Sequence, residues 1–117
     1  MKKVIHVDNS EFFRKHLKSF LEAEGFEVES FDNTQDANFA ISGGLADMVI
    51  MGLTFSDTDG EAFLLKTVES FAGPVIVLSS SADKKNTDKL VRLGARAALS
   101  KSGSWKEGLK PHLSAIK

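Results

Sequence analysis

Residues 46–60, ADMVIMGLTFSDTDG, decide the fold of this chain. Residues 48–51 are an unbroken apolar run of strand length, Gly52 closes it, and a polar loop then leads to Asp59 and Gly60. A strand that is apolar throughout, with no alternation, is buried on both faces, as the strands of parallel sheets are. Layers of helix are therefore expected above and below it.

The flanking sequence supplies them. Residues 3–8 form a second apolar run, and residues 10–24 carry Phe13, Leu17, Phe20 and Leu21 on one helical face before Gly25 stops the pattern. Residues 26–31 alternate as a half-buried strand at a sheet edge. Residues 34–42 have helical spacing in Ala37, Ala40 and Ile41 and end at Gly43-Gly44. Downstream, residues 60–71 read as a helix with Phe63, Leu64 and Val68 inward, 74–79 as a strand, 82–93 as a helix closed by Gly94, and 97–100 as a short strand. The last helix starts near Ser104, which has capping-box spacing to Glu107 and sets Trp105, Leu109, Leu113 and Ile116 toward the core. Pro111 is expected to kink or shorten it.

Alternating strands and helices with right-handed crossovers give an α/β, flavodoxin-like, doubly wound (βα)5 fold with a five-stranded parallel sheet of order 2-1-3-4-5. Without repeats or linkers, residues 1–117 read as one domain. Ligands of such sheets bind at the carboxyl ends of the strands. In this sequence those ends carry Asp8-Asn9, Gly52, Ser79-Ser80 and Lys101.

Composition sets limits on the function. A chain of 117 residues buries about two-thirds of the surface of its unfolded form, enough for one core. With 15 basic and 16 acidic side chains, nothing in the overall charge points to nucleic acid or to an anionic membrane. The absence of cysteine excludes disulfides, thiolate metal sites and cysteine nucleophiles. MKKVIHV leads straight into a strand with no signal-peptide apolar region, so a cytoplasmic protein is expected. His6 lies in a core strand and is expected as a hydrogen-bonded neutral imidazole. His16 and His112 have no metal-ligand spacing, and no metal site follows.

The chain resembles the receiver domain of two-component response regulators over essentially its whole length. The resemblance rests on VIHVDNS, on ADMVIMGLTFSDTDG, on VIVLSSS and on GARAALSKS. It implies that Asp8 matches the first of a pair of acidic residues, Ser79 the hydroxyl residue that contacts the phosphoryl group, and Lys101 the family lysine. It also implies that the second acid is replaced by Asn9 and that the phosphoacceptor aspartate is replaced by Gly52. The aromatic switch position is Ala98, Ser80 is a mild change after the hydroxyl, and Ser102 stands where a proline in a cis bond is common. These losses look coordinated, so the family resemblance implies a degenerate pseudo-receiver, CheY-like in fold, that binds partners and is not an enzyme.

The chemistry leads the same way without the family. Aspartyl phosphorylation needs a carboxylate nucleophile, a divalent cation and a group that takes up developing charge. Only Asp8 is an obvious carboxylate in the cluster, so no cofactor and no tight magnesium site are expected. Asp8 either caps the first helix or pairs with Lys101. Gly52 lets the backbone turn or approach a neighbour, and Asp57 and Asp59 are turn residues before they are substitute acceptors. The family resemblance implies that the partner is a protein, whether kinase, effector or second copy, met on the face running from the fourth to the fifth helix. Candidate interface residues are Lys89, Arg96 and Trp105, with Trp105 either core or an interface anchor. Two other readings stay open: phosphoryl transfer through a substitute site, and a small-anion or ligand site in the vacated pocket.

Overall fold

The computed structural model describes residues 1–80 and 83–117. Along the chain it has β1 (Lys3–Val7), α1 (Glu11–Ala23), β2 (Glu27–Phe31), α2 (Thr34–Ser42), β3 (Met48–Met51), α3 (Gly60–Ser70), β4 (Val75–Ser79), α4 (Lys84–Arg92), β5 (Ala97–Ser100) and α5 (Trp105–Ile116). The strands form one parallel sheet of order β2-β1-β3-β4-β5, as the strand and helix alternation requires. The expected start of the fourth helix at Ala82 lies outside the described residues.

Successive strand residues point to opposite faces, and each face has its own core. Val4, Met48, Ile50, Ile76 and Leu78 meet α1 and α5 on one side. Ile5, Val7, Val49, Met51, Val75 and Val77 meet α2, α3 and α4 on the other. Burying such side chains on both faces stabilises the sheet by about 1.5–3 kcal/mol each. The central strands β3 and β4 are buried at every position, which is why they read as continuous apolar runs.

The helix ends follow from local chemistry, and α5 departs from expectation at both Ser104 and Pro111. Ser10, not Asp8, caps α1, its hydroxyl accepting the Phe13 amide at 3.2 Å. Asp8 acts one turn earlier, where Oδ1 accepts the Ser10 amide at 2.9 Å. At α5, the Ser104 side chain makes no capping hydrogen bond, so the capping box with Glu107 is not formed. The helix nevertheless runs unbroken from Trp105 through Pro111 to Ile116. Pro111 removes one backbone donor, but it lies on the exposed face where water can satisfy the carbonyl left over, and buried Leu109 and Leu113 hold the helix on either side of it. Gly60 is required at the start of α3, because a side chain there would collide with the Leu53 carbonyl.

Trp105 belongs to the core and is not a surface anchor. It is buried beneath α1, with its ring edge-on to Phe13 at 5.2 Å and to Phe20 at 5.4 Å. No helix among the described residues is long and apolar enough to cross a membrane.

Candidate functional site

Extension of the strand ladders beyond β1, β3 and β4 brings the polar residues together. The Gly52 amide donates to the Val7 carbonyl at 2.9 Å, and the Lys101 amide donates to the Ser79 carbonyl at 3.0 Å. The Asp8 amide is held by the Phe31 carbonyl at 3.0 Å. These bonds fix Asp8, Gly52, Ser79 and Lys101 around one cavity of about 370 Å³, completed by Asn9, Ser80 and Thr54. All six residues expected at the carboxyl ends of the strands border it. The fold alone delivers this.

Asp8 and Lys101 dominate its electrostatics. Lys101 Nζ lies 2.7 Å from Asp8 Oδ2 and sits over the Phe13 ring, 4.7 Å from its centroid. The contact is an ion pair more than an aligned hydrogen bond, since Oδ2 has no partner of hydrogen-bond geometry among the described residues. Asp8 is almost fully buried. Burial pushes its carboxyl up, but His6, Lys101 and the Ser10 amide outweigh burial and hold it below the ordinary aspartate range. The Arg14 guanidinium donates to the Asp8 carbonyl and adds to the positive surroundings.

Gly52 does not have the left-handed backbone conformation that favours glycine, so backbone turning does not explain it. What limits the position is Asp8. A Cβ at residue 52 would sit 3.1 Å from Asp8 Oδ2 and 3.3 Å from its Cγ. The carboxylate therefore leans into the space that a side chain at residue 52 would use.

His6 departs from its expected hydrogen bonding. It is fully buried, and neither ring nitrogen has a hydrogen-bond partner among the described residues. Its Nε2 is 3.7 Å from Asp8 Oδ2, a distance of electrostatic contact only. Burial pushes the imidazole below its usual value more strongly than Asp8 raises it, and Lys101 and Arg14 push the same way as burial. The ring is therefore neutral near pH 7, packed against Phe13.

The other candidate residues lie away from the cavity. Asp59 caps α3 by accepting the Ala62 amide at 3.1 Å. Asp57 is exposed and reaches α2, and neither aspartate borders the pocket. Slight desolvation raises the Asp57 carboxyl, but the Thr34 hydroxyl and the Gln35 and Thr34 amides outweigh it and draw it below its usual range. This role of Asp57 was not foreseen, because the sequence shows a turn aspartate and gives no sign of which helix it will reach. Ala98 is half-buried in β5 opposite Val77 and packs on the α2, α3 and α4 side. Lys89 is exposed and pairs with Glu61 of α3 at 3.1 Å, and Arg96 is exposed after α4. Among the described residues, no group of three or more metal-ligating side chains is found.

Comparison with known proteins agrees with this fold. The chain is 30% identical over 97 residues to the KDP operon transcriptional regulatory protein KdpE of Escherichia coli strain K12, covering 83% of this chain and 42% of the relative. It is 32% identical over 101 residues to a protein-glutamate methylesterase/protein-glutamine glutaminase of Anaeromyxobacter dehalogenans, covering 85% of this chain and 30% of that one. The chain thus spans less than half the length of these curated relatives. A two-component response regulator from Clostridium difficile superposes with a TM-score of 0.88 at 22% identity, covering 99% of this chain and 95% of the other, which establishes the shared fold. The family model for the response regulator receiver domain matches residues 4–110, and this chain belongs to that family.

Proposed function

We propose that this receiver acts as a phosphorylation-independent protein-interaction module in two-component-type signalling. The observation that carries the reading is Asp8 paired with Lys101 while leaning over Gly52. The position that the resemblance assigns to the family's acceptor has no side chain, and Asp8 crowds the space beside it and pairs with the lysine. Magnesium does not fit the residues present. Asp8 Oδ1 is committed to the Ser10 amide and Oδ2 to Lys101, while Asn9 offers only a neutral amide.

Without an acceptor at Gly52 or an aromatic side chain at Ala98, the domain rests in one state and binds constitutively, since only differential affinity for two states can shift a balance between them. The partner is a kinase, an effector or a second copy in a homodimer, met through the α4–β5–α5 face in the cytoplasm. Exposed Lys89 and Arg96 support that face, whereas Trp105 is buried against α1 and does not. A small-anion site is the second reading, favoured by the cavity beside Ser79 and Lys101. It ranks behind because Asp8 already neutralises Lys101.

Incubation with magnesium and acetyl phosphate, read by intact mass, is the test. The expected outcome is no added phosphoryl group. A phosphoryl adduct that alkaline hydroxylamine removes would overturn the reading, and peptide mapping would identify the acceptor.

A further inference from the structure

A carboxylate belonging to the loop between β3 and α3 completes the N-terminus of a different helix. The first amides of an α-helix have no acceptor within it. In α2, Asn33 Oδ1 accepts the Asp36 amide at 2.9 Å, and that is all its own cap supplies. Asp57 supplies the rest from far along the chain. Its Oδ2 accepts the Thr34 amide at 3.1 Å, the Gln35 amide at 3.2 Å and the Thr34 hydroxyl at 2.9 Å. A negative charge at this end of the helix is also favoured by the aligned peptide dipoles.

The loop that carries Asp57 is itself closed. Thr54 and Asp59 form an antiparallel bridge across it, Phe55 packs edge-on against Phe63 at 5.7 Å, and Gly60 lies tight against Leu53. Its first residues, Leu53 and Thr54, border the cavity that holds Asp8 and Lys101. A loop fixed at its base, its middle and its tip cannot move its rim without freeing the tip.

We propose that Asp57 is a conformational latch that fastens the β3–α3 loop to the N-terminus of α2, so that the pocket rim keeps one conformation with no occupant. The latch stands on this geometry alone and holds whether or not the domain accepts phosphate. Its consequence is cooperative opening. The loop and the first turn of α2 are released together, because each supplies what the other lacks.

Amide hydrogen exchange by mass spectrometry on the full chain tests this. Hydrogen bonds to a charged group are strong enough that Asp57→Ala should speed exchange about tenfold or more, in residues 53–59 and in the first turn of α2 alike, while β1 and β3 keep their protection. Thr34→Val removes only the hydroxyl bond at a buried, nearly isosteric position and should give a smaller rise in the same two segments. This second variant keeps the test decisive if Asp57→Ala unfolds. Unchanged exchange in both segments, or a rise in the loop without one in α2, would overturn the proposal.

Discussion

The two flanks of the sheet are fastened by different means. On one side, α1 and α5 bury Phe13, Leu17, Leu21, Trp105, Leu109 and Leu113, an aromatic and aliphatic layer that reaches under the pocket to Phe13 and Lys101. On the other edge, α4 buries only Leu90, and all of β5 remains half-exposed. The first flank fixes Asp8 and Lys101 in place. The second presents Lys84, Lys85, Lys89 and Arg92 on a helix with one apolar anchor. A domain built this way separates a rigid pocket from a lightly held surface, and the lightly held surface is where a partner can be accommodated at small cost.

The largest effect should come from breaking the heavier flank. Trp105→Ala removes the ring that α1 packs against, and a buried tryptophan or phenylalanine truncated in this way costs about 3–5 kcal/mol. Leu90→Ala leaves a smaller cavity under a helix with little else to lose, so its cost should fall near the lower end of the range of about 2–5 kcal/mol for leucine. Urea denaturation followed by circular dichroism compares the two without relying on tryptophan fluorescence. Equal costs, or a larger one for Leu90→Ala, would mean that α4 is as firmly held as α5 and would remove the contrast.

Much of this contrast was legible in the sequence, and what was hidden has physical causes. Residues 34–42, 48–51 and 97–100 matched their elements residue for residue, because the apolar pattern and the glycines around them mark both ends. The pocket residues were legible because a parallel sheet must set its strand ends side by side. The Ser104 cap and the effect of Pro111 were misjudged, since local propensity at α5 is overruled by the burial of Leu109 and Leu113. The reach of Asp57 to Thr34 was not legible, since it spans |i−j| = 23 and depends on how the loop closes. That His6 has no hydrogen-bond partner among the described residues was hidden likewise: periodicity places a residue in the core but does not say which acceptors lie within reach.

His6 sharpens the comparison by pH. Its folded-state value lies below the ordinary 6.5, so the unfolded chain takes up a proton first as the medium is acidified. Stability from this group is complete above about pH 6.5 and falls as pH drops from there toward the lower folded-state value. Asp8 works in a separate window. Its lowered value stabilises the fold above the ordinary aspartate range, and that contribution is lost only in stronger acid. Urea midpoints measured between pH 8 and pH 5 should decline for the native chain and decline less for His6→Leu, which also relieves an unsatisfied buried ring. Parallel curves for the two proteins would show that His6 is not the proton-linked group beneath the pocket.

The smallest stability effect, and the most telling for function, belongs to the light flank. Lys89 and Glu61 form a largely exposed pair, and such pairs contribute about 0–1 kcal/mol. Arg96 is exposed as well, so Lys89→Glu and Arg96→Glu should leave the melting transition nearly unchanged. If partners dock on the α4–β5–α5 face, the same substitutions should weaken binding, because reversing a charge in a contact replaces attraction with repulsion. Ser79→Ala, inside the pocket, should not. Affinity for a captured kinase or effector, or the dimerisation constant of the chain itself, reads this directly by titration. Loss of binding with Ser79→Ala and none with the two surface variants would move the function from the lightly held edge back into the rigid pocket, and the division of labour between the two flanks would then be wrong.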